Sequence, residues 1–211
     1  MRITAINGSP KEKGSVSGLI IEQMERILGE KAQTHQAMRL VQGDTAYETM
    51  KGILDTDVLL IVFPLYVDSL PAPLIELLTR LEGAARGIDA APRVFAIANC
   101  GLYESEHPAL ALDMVERFAQ RAGYTWGCGL GIGRGGMLAS IGNNWSKGPA
   151  GDVYAALYDM ASAMREGRSG QNAFASPKFP RFLYIAVANM GWRIEAKKNG
   201  VRGKLKRRPY A

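Results

Sequence analysis

Short apolar runs alternate with amphipathic stretches along the chain. Residues 3–6 are too few for a helix and predict a buried strand, while residues 58–63 form a continuous apolar run. Such a run is typical of a strand that is covered on both faces. Between the two, apolar residues recur at helical spacing over residues 19–28. Strands alternating with helices predict one α/β domain built on a parallel sheet.

The rest of the chain continues this alternation. Strands are predicted at 33–41, 93–98 and about 124–132, and helices at about 46–54, 74–81, 108–122, 152–165 and 177–198. Five right-handed βα units form a doubly wound sheet. In such a sheet ligands bind beyond the carboxyl ends of the strands, so the loops after the first, third and fourth strands are expected to build one site.

The loop NGSPKEKGSVS, which follows the first strand, has the composition of an anion site. Gly8 and Gly14 allow close approach of the backbone, and Ser9, Ser15 and Ser17 add hydroxyl donors at the N-terminus of a helix. A Walker loop has a lysine between its second glycine and the serine, whereas Ser15 follows Gly14 directly here. The loop also lacks the three glycines of the dinucleotide fingerprint. A single terminal phosphate is therefore the predicted ligand, with a serine-rich helix cap that binds nothing as the alternative.

Composition narrows the class of protein. The chain has 211 residues, 47% of them apolar, and two cysteines, Cys100 and Cys128, which are too few for a disulfide framework or an iron–sulfur cluster. Two isolated histidines predict no metal site. The chain has no apolar signal region and no stretch near the ~18 apolar residues of a membrane span, so we expect a cytoplasmic protein.

The net charge of +6 is unevenly placed. Residues 193–211 hold eight Lys and Arg and one acid, which predicts a basic C-terminal tail and argues against a general nucleic-acid surface. Before it, apolar positions share one helical face, and packing on the domain or on a second subunit is favoured over contact with a membrane surface. These positions are Phe179, Phe182, Leu183, Ala186, Met190 and Ile194.

Three motifs together resemble those of the flavodoxin-like NAD(P)H-dependent FMN reductases. They are NGSP with GSVS at 7–17, PLY at 64–66 before a proline-rich helix start, and NCG at 99–101. The resemblance covers most of the chain and is closest to relatives of the iron–sulfur flavoproteins, whose cysteine cluster this sequence lacks. It implies one flavodoxin-like domain over 1–211, with a five-stranded parallel sheet of order 2-1-3-4-5 and extra C-terminal helices.

The resemblance also implies FMN as cofactor, NADPH or NADH as hydride donor, a small electron acceptor such as a quinone or a flavin, and a homodimer. Because the flavin carries the chemistry, no catalytic side chain is expected. Tyr103 and Arg134 are the predicted substrate contacts. The predicted FMN contacts are Ser9, Lys11, Ser15, Val16, Ser17, Pro64, Leu65, Tyr66, Val67, Asn99, Cys100, Gly101 and Leu102.

Other functions fit the same residues. A flavodoxin-like electron carrier or redox sensor that docks to a protein is the main alternative, and a domain that has lost its cofactor is a third. The basic balance argues weakly against the carrier, and the extra C-terminal helices favour an enzyme. The run GIGRGG at 131–136 matches the dinucleotide pattern by letter, but no periodic helix follows it, so it is interpreted as a flexible wall of the pocket.

Overall fold

The continuous apolar runs form the centre of a parallel sheet. The computed structural model describes residues 1–11, 13–42, 47–85, 91–142, 144–205 and 207, and the chain divides into two units, Met1–Pro177 and Lys178–Ala211. The strands of the first unit are β1 (Ile3–Asn7), β2 (Gln33–Gln36), β3 (Val58–Pro64), β4 (Arg93–Asn99), β5 (Thr125–Ile132) and β6 (Ala173–Ala175).

The helices of the first unit cover both faces of this sheet. They are α1 (Val16–Leu28), α2 (Ala37–Gln42), α3 (Tyr47–Leu54), α4 (Ala72–Ala85), α5 (Ala109–Arg121) and α6 (Gly151–Glu166), with two short 3-10 helices at Gly135–Ser140 and Gly148–Ala150. All strand pairs are parallel, in the order β2-β1-β3-β4-β5-β6. The predicted order 2-1-3-4-5 is confirmed, and a sixth strand extends the sheet at one edge.

Strand β3 shows why its sequence is apolar throughout. Val58, Leu60 and Val62 pack with α1 and α6 in one buried cluster. Leu59 and Ile61, which point to the opposite face, pack with α3, α4 and α5 in the other. Because side chains alternate between the faces of a strand, a sheet covered on both sides needs apolar residues at every position.

The structure differs from the prediction at both edges of the sheet, in the end of β2 and in an additional strand. The second strand ends at Gln36, and the residues that follow form α2; Ala37, the first residue of this helix, is fully buried. Strand β6 has three residues, too few to show an alternating pattern in the sequence. It lies beside β5, where the Gly129 N–H donates to Asn172 Oδ1 at 2.7 Å. The predicted start of a helix at residue 46 lies outside the described residues.

The second unit consists of helix α7 (Arg181–Lys198) and a 3-10 turn at Arg202–Lys204. The Val201 N–H donates to the Ala196 carbonyl at 2.9 Å. This bond turns the chain back toward the last turn of the helix. None of the helices in the described part of the chain is long and apolar enough to cross a membrane. We expected a single domain over residues 1–211, and this stays a prediction.

A substitution at Gly131 tests how closely β5 packs against its neighbours. A Cβ atom there would lie 2.5 Å from Phe174 Cδ1 and 2.7 Å from the Ser105 carbonyl oxygen, so Gly131→Ala should lower the free energy of unfolding by about 1–3 kcal/mol. Urea denaturation measures the change. Gly83→Ala is the control, because nothing lies within 4 Å of a Cβ at that position in α4; equal loss of stability in both variants would contradict the packing described.

Candidate functional site

The loops after β1, β3, β4 and β5 leave the sheet from the same edge. The register pairs Asn7 with Val62, Pro64 with Asn99, and Asn99 with Ile132. The strand order reverses between β1 and β3, where the chain leaves β1 toward α1 and β3 toward α4. Such a switch point is where open α/β sheets bind their ligands.

The loop after β1, which we call the cradle (residues 7–17), is shaped by two amide side chains. Asn7 Oδ1 accepts the Ser9 N–H at 3.0 Å, and Asn7 Nδ2 donates to Ser15 Oγ at 3.3 Å. From the end of β2, Gln36 Nε2 donates to the carbonyl oxygens of Ser9 and Lys11. The sequence prediction gave no role to Gln36, which lies 27 residues from Ser9 in the chain, and it used Asn7 only as part of a motif.

Close packing explains one glycine of the cradle, and backbone conformation explains the other. The Gly8 N–H donates to the Val62 carbonyl at 2.8 Å, and a Cβ on Gly8 would lie 2.7 Å from Leu74 Cδ2. Gly14 has a φ of +64°, in the left-handed region that favours glycine. Its carbonyl oxygen accepts Lys11 Nζ at 3.1 Å, so this ammonium group contacts the backbone of the cradle.

Helix α1 begins inside the cradle, where its first backbone donors have no acceptor within the helix. Ser15 is its N-cap, and Ser15 Oγ accepts the Gly18 N–H at 3.0 Å. The N–H groups of Val16 and Ser17 precede this capped amide and have no acceptor within the helix. The positive end of the helix dipole adds to these donors, which together favour an anion.

Three buried hydroxyl groups line the same loop. Ser9 Oγ accepts the Lys11 N–H at 3.2 Å, Ser17 Oγ accepts Asn99 Nδ2 at 3.1 Å, and Ser15 Oγ accepts the two groups given above. All three serines are at least 93% buried. In the part of the chain that the structure describes, none of them donates to a protein acceptor. Each O–H is therefore without an acceptor among the described residues.

Asn99 connects the cradle to the loop after β3. In addition to Ser17 Oγ, Asn99 Nδ2 donates to the Phe63 carbonyl at 2.9 Å, while the Asn99 carbonyl accepts the Leu65 N–H at 2.8 Å. The side chain is buried. Of the predicted contact residues, Asn99 is the one that joins three elements, α1, β3 and β4.

The loop after β3 presents apolar side chains at the open edge. Tyr66 and Ser69 exchange backbone hydrogen bonds of 2.9 and 3.0 Å around a two-residue turn. Its central residues, Val67 and Asp68, have φ values of 50° and 57°. Tyr66 is 50% exposed and Val67 is 98% exposed. A β-branched residue in this backbone region is strained, so the turn holds Val67 outward at an energetic cost.

The loop after β4 begins with a buried cysteine. The Cys100 N–H donates to the Ile132 carbonyl at 2.8 Å, and its Sγ lies 3.7 Å from the Glu104 carbonyl oxygen. Burial raises the pKa of the Cys100 thiol, which keeps it protonated and poorly nucleophilic. Leu102, two residues on, is 48% exposed. Cys100 is thus a small buried thiol, and its contact with FMN stays a prediction.

The two predicted substrate residues contact each other. The Arg134 guanidinium lies 4.0 Å from the centre of the Tyr103 ring. Its Nε donates to the Tyr103 carbonyl at 3.0 Å and its Nη1 to the Pro177 carbonyl at 2.6 Å. Arg134 thus holds two segments of backbone together, and its role as a substrate contact stays a prediction.

The glycine-rich run after β5 is closely packed. A Cβ on Gly133 would lie 2.9 Å from the Glu104 backbone, and one on Gly135 would lie 3.1 Å from the Cys100 carbonyl oxygen. A 3-10 helix begins at Gly135, where a dinucleotide motif would require an α-helix. Gly133 and Gly135 therefore allow close packing against the loop after β4, and the flexible wall that we expected here stays a prediction.

A cavity of about 380 Å³ lies beside the cradle, at the end of β2. Two of its lining side chains are cationic. The Nε2 atom of His35, which also lines it, is buried and has no hydrogen-bond partner among the described residues. Burial lowers the pKa of the His35 imidazole. The lining residues are Lys13, Thr34, His35, Gln36, Arg39 and Leu40.

The similarity of this chain to known proteins is a similarity of fold. No family model matches the chain, and no curated protein sequence matches it. Among solved structures, an NADH:FMN oxidoreductase in its apo form aligns with a TM-score of 0.56 and 20% identity over 80% of this chain and 90% of its own. An NAD(P)H:quinone oxidoreductase from Methanothermobacter marburgensis aligns with a TM-score of 0.54 and 14% identity, over 80% and 94% of the two chains. The chain has a flavodoxin-like fold. An NADPH-quinone reductase from P. pentosaceus, with a TM-score of 0.51 and 16% identity over 81% and 99% of the two chains, has the same architecture.

Asn99 provides a test of how the edge of this flavodoxin-like sheet is held. Asn99→Leu keeps the approximate size but removes the donors to Ser17 Oγ and to the buried Phe63 carbonyl. We expect a loss of about 1–3 kcal/mol in the free energy of unfolding, measured by urea denaturation. Asn144→Leu, at an exposed position, should change it by less than about 0.5 kcal/mol. Similar values for the two variants would contradict the assigned role.

His35 makes stability depend on pH. Because its pKa is lowered in the folded chain, the unfolded chain takes up the proton first as the pH falls below about 6.5. Folding stability should therefore fall with decreasing pH through this region. In His35→Gln, the loss of unfolding free energy between about pH 7.5 and pH 5.5 should be smaller than in the wild type. Equal losses in urea titrations at the two pH values would exclude His35 as the cause.

Proposed function

We propose that this chain is an FMN-dependent oxidoreductase that uses NADPH or NADH to reduce a small acceptor, such as a quinone or a flavin. The observation that carries the proposal is the donor set of the cradle. Three buried hydroxyls and the first two amides of α1 converge on one loop, and they offer hydrogen bonds without an acceptor in the described residues. Donors of this kind suit the terminal phosphate of a mononucleotide.

The loops beside the cradle fit the rest of FMN. A flat ring system needs apolar walls and a few polar groups, and Tyr66, Val67 and Leu102 expose apolar surface at the same sheet edge. Asn99 holds the loop after β3 against the cradle through the bonds described above. We assign the predicted FMN contacts to these three loops as part of this proposal.

The protein side of the reaction is positioning. When bound, FMN would supply hydride and electron transfer between the nicotinamide and the acceptor. The cradle would fix the phosphate end, and the turn at Tyr66 would limit how the ring can lie. Cys100 stays a protonated thiol because burial raises its pKa, so it is not assigned a covalent role. No side chain is required as acid or base.

The functions of the structural neighbours support the choice of an enzyme over a carrier. Three of the proteins that share the fold over most of this chain are an NADH:FMN oxidoreductase and two quinone reductases. A nicotinamide donor and a small acceptor are inferred here by analogy with them. A homodimer and a cytoplasmic location stay predictions from the sequence.

An absorbance spectrum decides the cofactor and the reaction. The purified protein is mixed with FMN, freed of excess flavin, and titrated under anaerobic conditions with NADPH and then NADH. We expect retained flavin bands that bleach with at least one nucleotide. Bands that are retained but do not bleach would favour the electron carrier or sensor, and loss of the flavin would contradict the cofactor assignment.

Serine variants locate the flavin site through its affinity for FMN. Ser9→Ala and Ser17→Ala each remove one donor to a charged phosphate, and each should weaken FMN binding by about 10- to 100-fold. The affinity is measured by quenching of flavin fluorescence. Ser162→Ala, on α6 and bonded to the Tyr158 carbonyl, should bind FMN as the wild type does. Wild-type affinity in both cradle variants would show that the flavin binds elsewhere.

A further inference from the structure

Helix α7 exposes a large apolar surface. Residues 182–192 contain no charged side chain, and the large apolar residues of the helix are 41–75% exposed. Such a concentration is unusual for a surface helix and marks a site of interaction. The exposed residues are Phe182, Leu183, Ile185, Val187, Met190, Trp192 and Ile194.

The length of the uncharged segment favours contact with the boundary of a bilayer over insertion across it. At 1.5 Å per residue, the eleven uncharged positions cover about 16 Å, roughly half the ~30 Å hydrocarbon thickness of a bilayer. Apolar stretches of this length occur in buried core helices or in segments that lie in the membrane interface. The exposure of Phe182 and Trp192, at 71% and 75%, fits the second class.

The positive charge of the second unit favours a negatively charged partner. Residues 178–211 contain ten Lys and Arg and one acid, a net charge of +9, while the preceding 177 residues sum to −3. Basic residues flank the apolar stretch on both sides, Arg181 before it and Arg193 and Lys197 after it. The one acid, Glu195, pairs with Lys198 Nζ at 3.0 Å. Basic residues beside an apolar segment attract anionic phospholipid headgroups.

We propose that α7 and the basic segment after it dock the chain on a phospholipid surface that carries anionic headgroups. The apolar side chains enter the boundary between headgroups and acyl chains, and the lysines and arginines extend to the phosphates. Trp192 and Tyr184 belong to the two residue types that concentrate at membrane interfaces. A second copy of this chain fits less well, because antiparallel pairing of two such helices would place basic ends beside basic ends.

Vesicle flotation of the full-length protein tests this proposal without flavin. Vesicles of phosphatidylcholine alone are compared with vesicles that contain about one third phosphatidylglycerol. We expect the protein to float with the anionic vesicles and to remain unbound with the neutral ones. Raising the salt from about 0.05 M to 0.5 M should reduce binding, because it shortens the range of charge attraction.

Variants separate the apolar and the charged contributions. Phe182→Ser with Trp192→Ser should abolish flotation, and Lys197→Gln and Lys204→Gln should each weaken binding to anionic vesicles by about fivefold. The matched controls lie in the first unit, Leu110→Ser at an exposed apolar position of α5 and Lys51→Gln at an exposed position of α3. Both should float as the wild type does. The lysine variants keep the test valid if the double variant does not fold.

Three outcomes would overturn the proposal. The first is no flotation with anionic vesicles, and the second is equal flotation with neutral vesicles. The third is a dimer in analytical ultracentrifugation that dissociates in the Phe182→Ser, Trp192→Ser variant while the wild type ignores vesicles; this would assign α7 to a second copy of the chain. None of these results depends on whether the cradle binds FMN.

Discussion

The side-chain amide of Asn99 donates one hydrogen bond to Ser17 Oγ and one to the Phe63 carbonyl. The first bond reaches α1 and the second reaches the end of β3, so one buried group connects the start of a helix with two strands. The carbonyl of the same residue accepts the Leu65 N–H, which fixes the first residue beyond β3. Since buried amide groups must be satisfied, any arrangement that separated these elements would leave polar atoms without partners. The relative position of the cradle and its neighbouring loop depends on this constraint.

The hydrogen bonds that the protein donates to the three serines also determine which kind of ligand would suit the cradle. Asn99, Asn7 and the Gly18 and Lys11 amides all donate to serine oxygens. A hydroxyl that accepts from the protein directs its remaining proton elsewhere. The three serines therefore keep O–H donors that no acceptor of the described residues takes, beside the first two amides of α1. A site composed of donors favours an acceptor-rich ligand, and a phosphate has three such oxygens.

The sequence predicted those parts of the fold that depend on local pattern. The apolar run of β3 and the serine cap of α1 are visible in the residues themselves, because burial on two faces and capping each demand particular residue types. Strand β6 and the contact of Gln36 with the Ser9 carbonyl depend on residues far apart in the chain, and no local pattern encodes them. The glycines at the end of β5 and just after it were misleading for the same reason. Their spacing matched the dinucleotide pattern by letter, whereas a Cβ on Gly131 or Gly133 would collide with the backbone of Ser105 or Glu104.

The turn at Val67 connects backbone strain with the open edge of the site. A two-residue turn of this kind usually contains asparagine and glycine, which tolerate a positive φ. Here Val67 and Asp68 occupy it, at an energetic cost of about 1–3 kcal/mol for each strained residue, and the Val67 side chain is 98% exposed. Within the residues that the structure describes, Val67 therefore gains almost no burial that would offset the strain. An apolar ring covering Val67 and Tyr66 would supply that burial, which is the physical reason for placing the flavin ring of the proposed function against this turn.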